Sequence, residues 1–212
     1  MKMRVTKKTS LKFVDGQFVV KEYNPDQPRD EAGRFSSDGG SVGPTDAQYN
    51  ALEGYIGADY INVNSYLRSG KIRDETYGGI YDPMAIRNTV EMMNNLMSPI
   101  GQEQTLYRGI LASDITEALS TLQPGDRFTD KGFVSTTQSL GFADNWRGDG
   151  LLMVIDAPAG TNAIDVVRVS GGNPNRDEYT NIEEEREVIL ARDTTFEVVS
   201  NSGDRMEVKV VR

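Results

Sequence analysis

Glu183-Glu184-Glu185-Arg186-Glu187-Val188-Ile189-Leu190 runs four carboxylates straight into an apolar segment. Side chains alternate faces along a strand, so a strand through this stretch predicts Glu185 and Glu187 on one face, roughly 7 Å apart. Val188 and Leu190 then face the opposite side, into a core. Two acids at the mouth of a buried strand repel and disturb each other's ionisation, which folding alone does not reward. A solvated acidic turn explains the run equally well when it is taken alone. The residues upstream decide between the two.

The 212 residues suffice for one core-bearing domain and an N-terminal extension. Hydrophobic residues make up 37% and charged residues 26%, ordinary for a soluble globular protein. A net charge of -9 argues against nucleic acid as the main partner, which requires a basic footprint. The chain has neither cysteine nor histidine. That excludes disulfides, a thiol nucleophile and a zinc site built on thiolate or imidazole, and no metal is expected. Acid-base chemistry falls to Asp, Glu, Tyr or Lys. No apolar run approaches the roughly 20 residues of a membrane span, and no secretory signal is recognisable. A soluble protein is expected.

Two regions separate by composition. Residues 1–43 form an N-terminal extension, with a hairpin expected around Asp15-Gly16 and a linker from Tyr23 to Gly43 crowded with Pro, Gly, Asp and Ser. The charge is about +3 on residues 1–34 and about -12 on the remainder. Residues 44–212 form the second region. Helices are expected from Thr45 or Asp46, through Tyr60–Leu67 to a stop at Gly70, from Asp82-Pro83, and from Ser113 or Asp114. Strands are expected over Thr105–Gly109, Asp126–Thr129, Gly132–Thr136, Leu151–Ala157, Ile164–Val169, Arg186–Ala191, Thr195–Ser200 and Met206–Val211. Helices first and strands after give an α+β domain with mostly antiparallel sheets.

Two further polar signals lie on those strands. Tyr107-Arg108-Gly109 embeds an arginine in a strand with a glycine behind it. It is either an edge charge or a guanidinium fork for a phosphate or ribose, with Gly109 permitting close backbone approach. Gly132-Phe133-Val134-Ser135-Thr136-Thr137 carries successive hydroxyls that either fasten strands or orient a carboxylate.

In chain order, Tyr107-Arg108, Ser135-Thr136-Thr137 and Glu185-Arg186-Glu187 resemble the aromatic-Arg, Ser-Thr-Ser and Glu-x-Glu motifs of the mono-ADP-ribosyltransferase exoenzymes of the Arg-Ser-Glu class. Thr137 stands where the middle motif has Ser. The segment Tyr60–Arg68 resembles the helix that precedes the family's arginine strand.

The resemblance implies an α+β ADP-ribosyltransferase fold, with N-terminal helices packed on two mostly antiparallel sheets that form a split β-sandwich around an NAD cleft. It implies NAD as co-substrate and a protein arginine as acceptor. Glu187 would stabilise the oxocarbenium-like ribose left when nicotinamide departs, as carboxyls do in glycosidases. Glu185 would orient the acceptor and take its proton, and Ser135 would hold Glu187. Arg108, with Tyr107, Gly109, Thr136 and Thr137, would bind the cofactor. Leu140–Arg147 lies where the family folds a loop over nicotinamide and phosphate, giving Phe142 a stacking role and Arg147 a phosphate. Core packing explains Phe142 and Trp146 as well. Tyr179, in the loop 170–181, would take the place of the target-recognition aromatic where Ile182 stands.

An enzyme acting chiefly on water, an NAD glycohydrolase with self-modification, is the alternative within the same chemistry. A non-catalytic NAD-binding or virion-associated module is the alternative outside it. Tyr23–Phe35 faintly resembles stretches of phage head-associated proteins, which implies a bacterial or phage effector delivered to a host cytoplasm, with host-protein or phage-head association.

Overall fold

A capping box opens the first helix of the main unit: Thr45 N–H donates to Gln48 Oε1 at 2.8 Å, and Gln48 N–H donates back to Thr45 Oγ1 at 3.3 Å. The computed structural model describes residues 9–14, 17–22, 43–73, 79–171 and 182–211. Its Cα positions cluster into two units, residues 1–43 and 44–212. In the first unit, β1 (Thr9–Val14) pairs antiparallel with β2 (Gln17–Glu22), with Val14 opposite Gln17. The Tyr23–Phe35 segment lies outside the described residues.

In the second unit, α1 (Asp46–Gly54) passes through a wide π-type turn at Tyr55–Asp59 into α2 (Tyr60–Ser69). Gly70, at φ 71°, ends α2 in the left-handed conformation that glycine adopts without a Cβ penalty. Asp82 caps α3 (Pro83–Leu96), accepting from Ala85 N–H at 3.0 Å with proline at the first helical position. There follow β3 (Ser98–Pro99), β4 (Gln104–Ile110), α4 (Asp114–Ser120), β5 (Arg127–Asp130), β6 (Val134–Thr137), α5 (Leu140–Arg147), β7 (Leu151–Ala157) and β8 (Asn162–Asp165). The chain ends with α6 (Val166–Ser170), α7 (Ile182–Glu185), β9 (Glu187–Leu190), β10 (Thr194–Asn201) and β11 (Arg205–Val211). Among the described residues no helix is long and apolar enough to cross a membrane.

Nine strands form one sheet in the order β3-β8-β9-β6-β4-β7-β11-β10-β5, antiparallel except where β11 lies parallel to β7. The two halves of the expected sandwich meet through a single pair, Tyr107 opposite Thr137. Val134, Val188 and Leu190 from one half share a buried core with Leu106, Met153, Ile155, Phe196 and Val208 from the other. The sheet therefore curls back on itself. Its other face, through Phe133, Ile164 and Ile189, packs on Leu52, Tyr55, Val63, Ile86 and Met93 of the helices. β9 is thus apolar at three successive positions because both its faces are covered.

Three sequence expectations are corrected. The expected strand Ile164–Val169 stops at Asp165, whose carboxylate accepts from Arg168 N–H at 3.0 Å and caps α6. Leu140–Arg147 is a helix, not a loop, capped by Ser139. Glu185 leaves the strand altogether and ends α7, while β9 begins at Glu187. Between them Arg186 takes a left-handed φ of 46°. The two glutamates are therefore not strand neighbours on one face.

Gly109 explains how α5 reaches the sheet. A Cβ there would come within 2.2 Å of the Ala143 carbonyl oxygen and 2.7 Å of Arg147 N, both backbone atoms of α5. The close approach expected of Gly109 is to a helix and not to a cofactor. Gly109→Ala must displace α5, and overpacking of this kind costs about 1–3 kcal/mol. The expected result is a melting temperature roughly 5 °C lower; an unchanged melt would show that α5 yields freely.

Candidate active site

The polar centre of the molecule is built where the hydroxyl strand β6 lies beside β9. Thr137 is opposite Glu187, and Ser135 is opposite Ile189. Ser135 and Glu187 are therefore diagonal neighbours on one face, and the Ser135 hydroxyl favours the charged Glu187 carboxyl. Burial nevertheless pushes Glu187 up to about 7, and the Glu185 charge adds to that, while Ser135 and the Arg108 guanidinium pull against it. A carboxyl poised near neutrality in a partly buried site is the signature of a group arranged for chemistry. Glu185 is less enclosed, and partial burial alone raises its pKa.

Arg108 sits in β4, next to the seam at Tyr107. Burial depresses its pKa, and Asp130, Arg68, Tyr55 and Glu187 all act on its charge. Its Nη1 is sealed from solvent and has no hydrogen-bond partner among the described residues. A desolvated guanidinium nitrogen without an acceptor is costly, and native proteins rarely keep one unused.

Tyr55, in the wide turn before α2, completes the centre. Its phenol is fully buried, accepts from Asn64 Nδ2 at 2.9 Å and donates to the Phe133 carbonyl at 3.5 Å, with the Ser135 hydroxyl acting on it as well. Burial pushes it up to about 12, so it stays protonated and can donate. Asn64 is fixed in turn, its Oδ1 accepting from Phe133 N–H at 2.9 Å. Arg68, one helical turn further on, forms a bidentate pair with Asp130, both contacts at 2.8 Å. Burial disfavours the Arg68 charge, but the bonds to Asp130 outweigh it and raise its pKa. Gly132 lets this loop close on α2, since a Cβ there would meet Asn64 Oδ1 at 2.7 Å.

Of the residues expected from sequence, Glu187, Ser135 and Arg108 act on one another electrostatically, with Glu185 beside them. Others do different work. Thr136 Oγ1 donates to the Val188 carbonyl at 2.5 Å, and Thr137 Oγ1 donates to the Glu185 carbonyl, so both hydroxyl hydrogens fasten β6 to the Glu185–Val188 segment. Arg147 donates from Nε to Asp144 at 2.7 Å and from Nη1 to the Gly150 carbonyl at 3.1 Å, which fixes the orientation of its guanidinium. Phe142 stacks on Trp146, with centroids 6.3 Å apart and planes 16° apart, along α5. Tyr179 lies outside the described residues.

Tyr55, Asn64 and Asp130 were not singled out from sequence. Tyr55 and Asn64 are nine residues apart across a π-type turn, a spacing that a regular helical period does not bring together. A fully buried tyrosine hydroxyl needs a partner, which is the only signal that could have found it.

A family model described as ADP-ribosyltransferase exoenzyme matches residues 19–211. The chain belongs to this family. Solved structures share the fold at low identity. Exoenzyme S from Pseudomonas aeruginosa, solved in complex with human 14-3-3 protein beta and bound to carba-NAD, is 21% identical with a TM-score of 0.56, over 78% of this chain and 74% of that one. The Clostridium limosum C3 exoenzyme is 19% identical with a TM-score of 0.54, over 79% and 86%. Plx2a, an ADP-ribosyltransferase toxin from Paenibacillus larvae, is 18% identical with a TM-score of 0.54, over 79% and 87%. No curated protein matches the sequence.

Proposed function

We propose that this ADP-ribosyltransferase takes NAD as co-substrate, releases nicotinamide, and transfers ADP-ribose to the guanidinium of an arginine on a protein. The observation that carries this reading is the Glu187 carboxyl, pushed up to about 7 beside Ser135 on the neighbouring strand, with the Arg108 guanidinium acting on it. The Arg108 side chain, half-buried as a whole, is suited to hold a phosphate or ribose oxygen with its guanidinium fork. Ionised Glu187 stabilises positive charge growing on the ribose, and the neighbouring Ser135 hydroxyl favours that ionised form. Glu185, more open to solvent, is suited to pair with an incoming guanidinium and accept its proton as the new bond forms. The carba-NAD bound to the exoenzyme S neighbour supports the co-substrate, and membership of an exoenzyme family supports a delivered effector acting in a host cell.

The test measures nicotinamide release and transfer to agmatine, a small guanidine, side by side. Glu185→Gln should reduce transfer at least about tenfold while retaining much of the release, because a neutral amide cannot take the guanidinium proton. Label on a modified protein should be discharged by hydroxylamine. Parallel loss of both activities in Glu185→Gln would remove the acceptor role.

A further inference from the structure

Glu185 and Glu187 have different tasks in the reading above, yet only one residue separates them, and that residue is not a strand residue. Arg186 has a φ of 46°, a conformation that side chains other than glycine seldom adopt unless their neighbours impose it. The neighbours that impose it belong to the end of β6. Thr137 Oγ1 donates to the Glu185 carbonyl, and Gln138 N–H donates to the Arg186 carbonyl at 3.2 Å. The Thr137 hydroxyl is itself oriented, because it accepts from Ser139 N–H at 2.9 Å and so keeps its own hydrogen for Glu185. It is almost wholly buried, at 5% exposure, and its Cα is opposite both Glu187 and Tyr107. One hydroxyl at the seam of the sheet therefore grips the chain one residue before the left-handed turn.

We propose that Thr137 is a positioning residue that sets where Glu185 stands relative to Glu187, and thereby the partition between transfer to an acceptor and loss of ADP-ribose to water. This rests on the acceptor role of Glu185. Ser135 and Thr137, two residues apart on one strand, then divide the labour. Ser135 favours the charged form of the Glu187 carboxyl, and Thr137 holds Glu185 through its backbone. Releasing the Glu185 carbonyl frees the end of α7 to shift, while Glu187 keeps its place in the ladder between β6 and β9.

Thr137→Val keeps the shape and removes the hydroxyl; Thr137→Ser keeps the hydroxyl. Each is assayed for nicotinamide release and for transfer to agmatine, with Glu185→Gln in parallel and a thermal melt for every variant. Thr137→Val is expected to lower the ratio of transfer to release about five- to tenfold, the size of one hydrogen bond's effect, with release largely kept. Thr137→Ser should restore the ratio. An unchanged ratio in Thr137→Val, or an equal fall in both activities, overturns the proposal, and so does a failure of Thr137→Ser to rescue. If Glu185→Gln itself leaves the ratio unchanged, the acceptor role of Glu185 falls and this proposal falls with it. If Glu185→Gln shifts the ratio and Thr137→Val does not, only the role of Thr137 is lost.

Discussion

Glu187→Gln is expected to lower nicotinamide release and ADP-ribose transfer together by about 10²–10³-fold, the usual cost of deleting one fixed electrostatic stabiliser of a transition state. Gln fills the same space and keeps a polar side chain beside Ser135, so the loss isolates the charge. The same group dictates a pH dependence. Only the ionised carboxyl can stabilise a cation, and burial has moved its titration up to about 7. In the wild type, kcat/KM for NAD should fall about tenfold per pH unit below that value and level off above it. A flat profile between pH 5.5 and 8 would sink the assignment.

Stability should move the opposite way. The folded protein holds a proton on Glu187 up to about pH 7, whereas the unfolded chain releases it near the ordinary carboxylate value of 4.5. Between those two values the folded state binds more protons, so raising the pH destabilises it. The penalty is complete above about pH 7 and absent below the unfolded value. Glu187→Gln escapes it, and at pH 8 should be more stable than wild type by about 3 kcal/mol, with little difference at pH 4. Melts at the two pH values check this directly. A variant that is inactive yet more stable would identify Glu187 as a residue retained for chemistry at the expense of folding.

The architecture was legible in the sequence wherever local chemistry set it. Thr45, Asp82-Pro83 and Gly70 mark helix ends because caps satisfy backbone groups that the helix leaves open, and all three act as expected. The order of the arginine strand, the hydroxyl strand and Glu187 was equally plain. What stayed hidden depended on contacts distant in sequence. Alternation carried Glu185 onto the strand because nothing in Glu-Arg-Glu announces a left-handed arginine; Thr137 and Gln138, roughly fifty residues upstream, hold that turn. Val166-Val167-Arg168-Val169 reads as strand by composition, and a short apolar run cannot be assigned by periodicity alone. Asp165 tips it into a helix. The use of Gly109 required knowing that α5 crosses β4 there.

Arg108→Met should separate the two contributions of the arginine. The first is contact: a charge-assisted hydrogen bond to a phosphate or ribose oxygen is worth about 1.5–3 kcal/mol, so KM for NAD should rise about ten- to a hundredfold. The second is the field on Glu187, which Arg108 holds lower than burial alone would allow. Without that cation the acid limb of the activity profile moves up, and only modestly, because Arg108 is the weakest of the influences on that carboxyl. Arg108→Lys distinguishes the two. A lysine restores the charge, and with it the position of the limb, but not the planar fork, so KM stays high. The melting temperature supplies an independent reading. Arg108 is a buried cation with an unsatisfied nitrogen, and a neutral side chain of similar reach should remove that cost, so Arg108→Met should melt no lower than wild type and above it at neutral pH. A sharp fall in stability with KM unchanged would mean that the guanidinium braces the sheet seam beside Tyr107 and does not bind substrate.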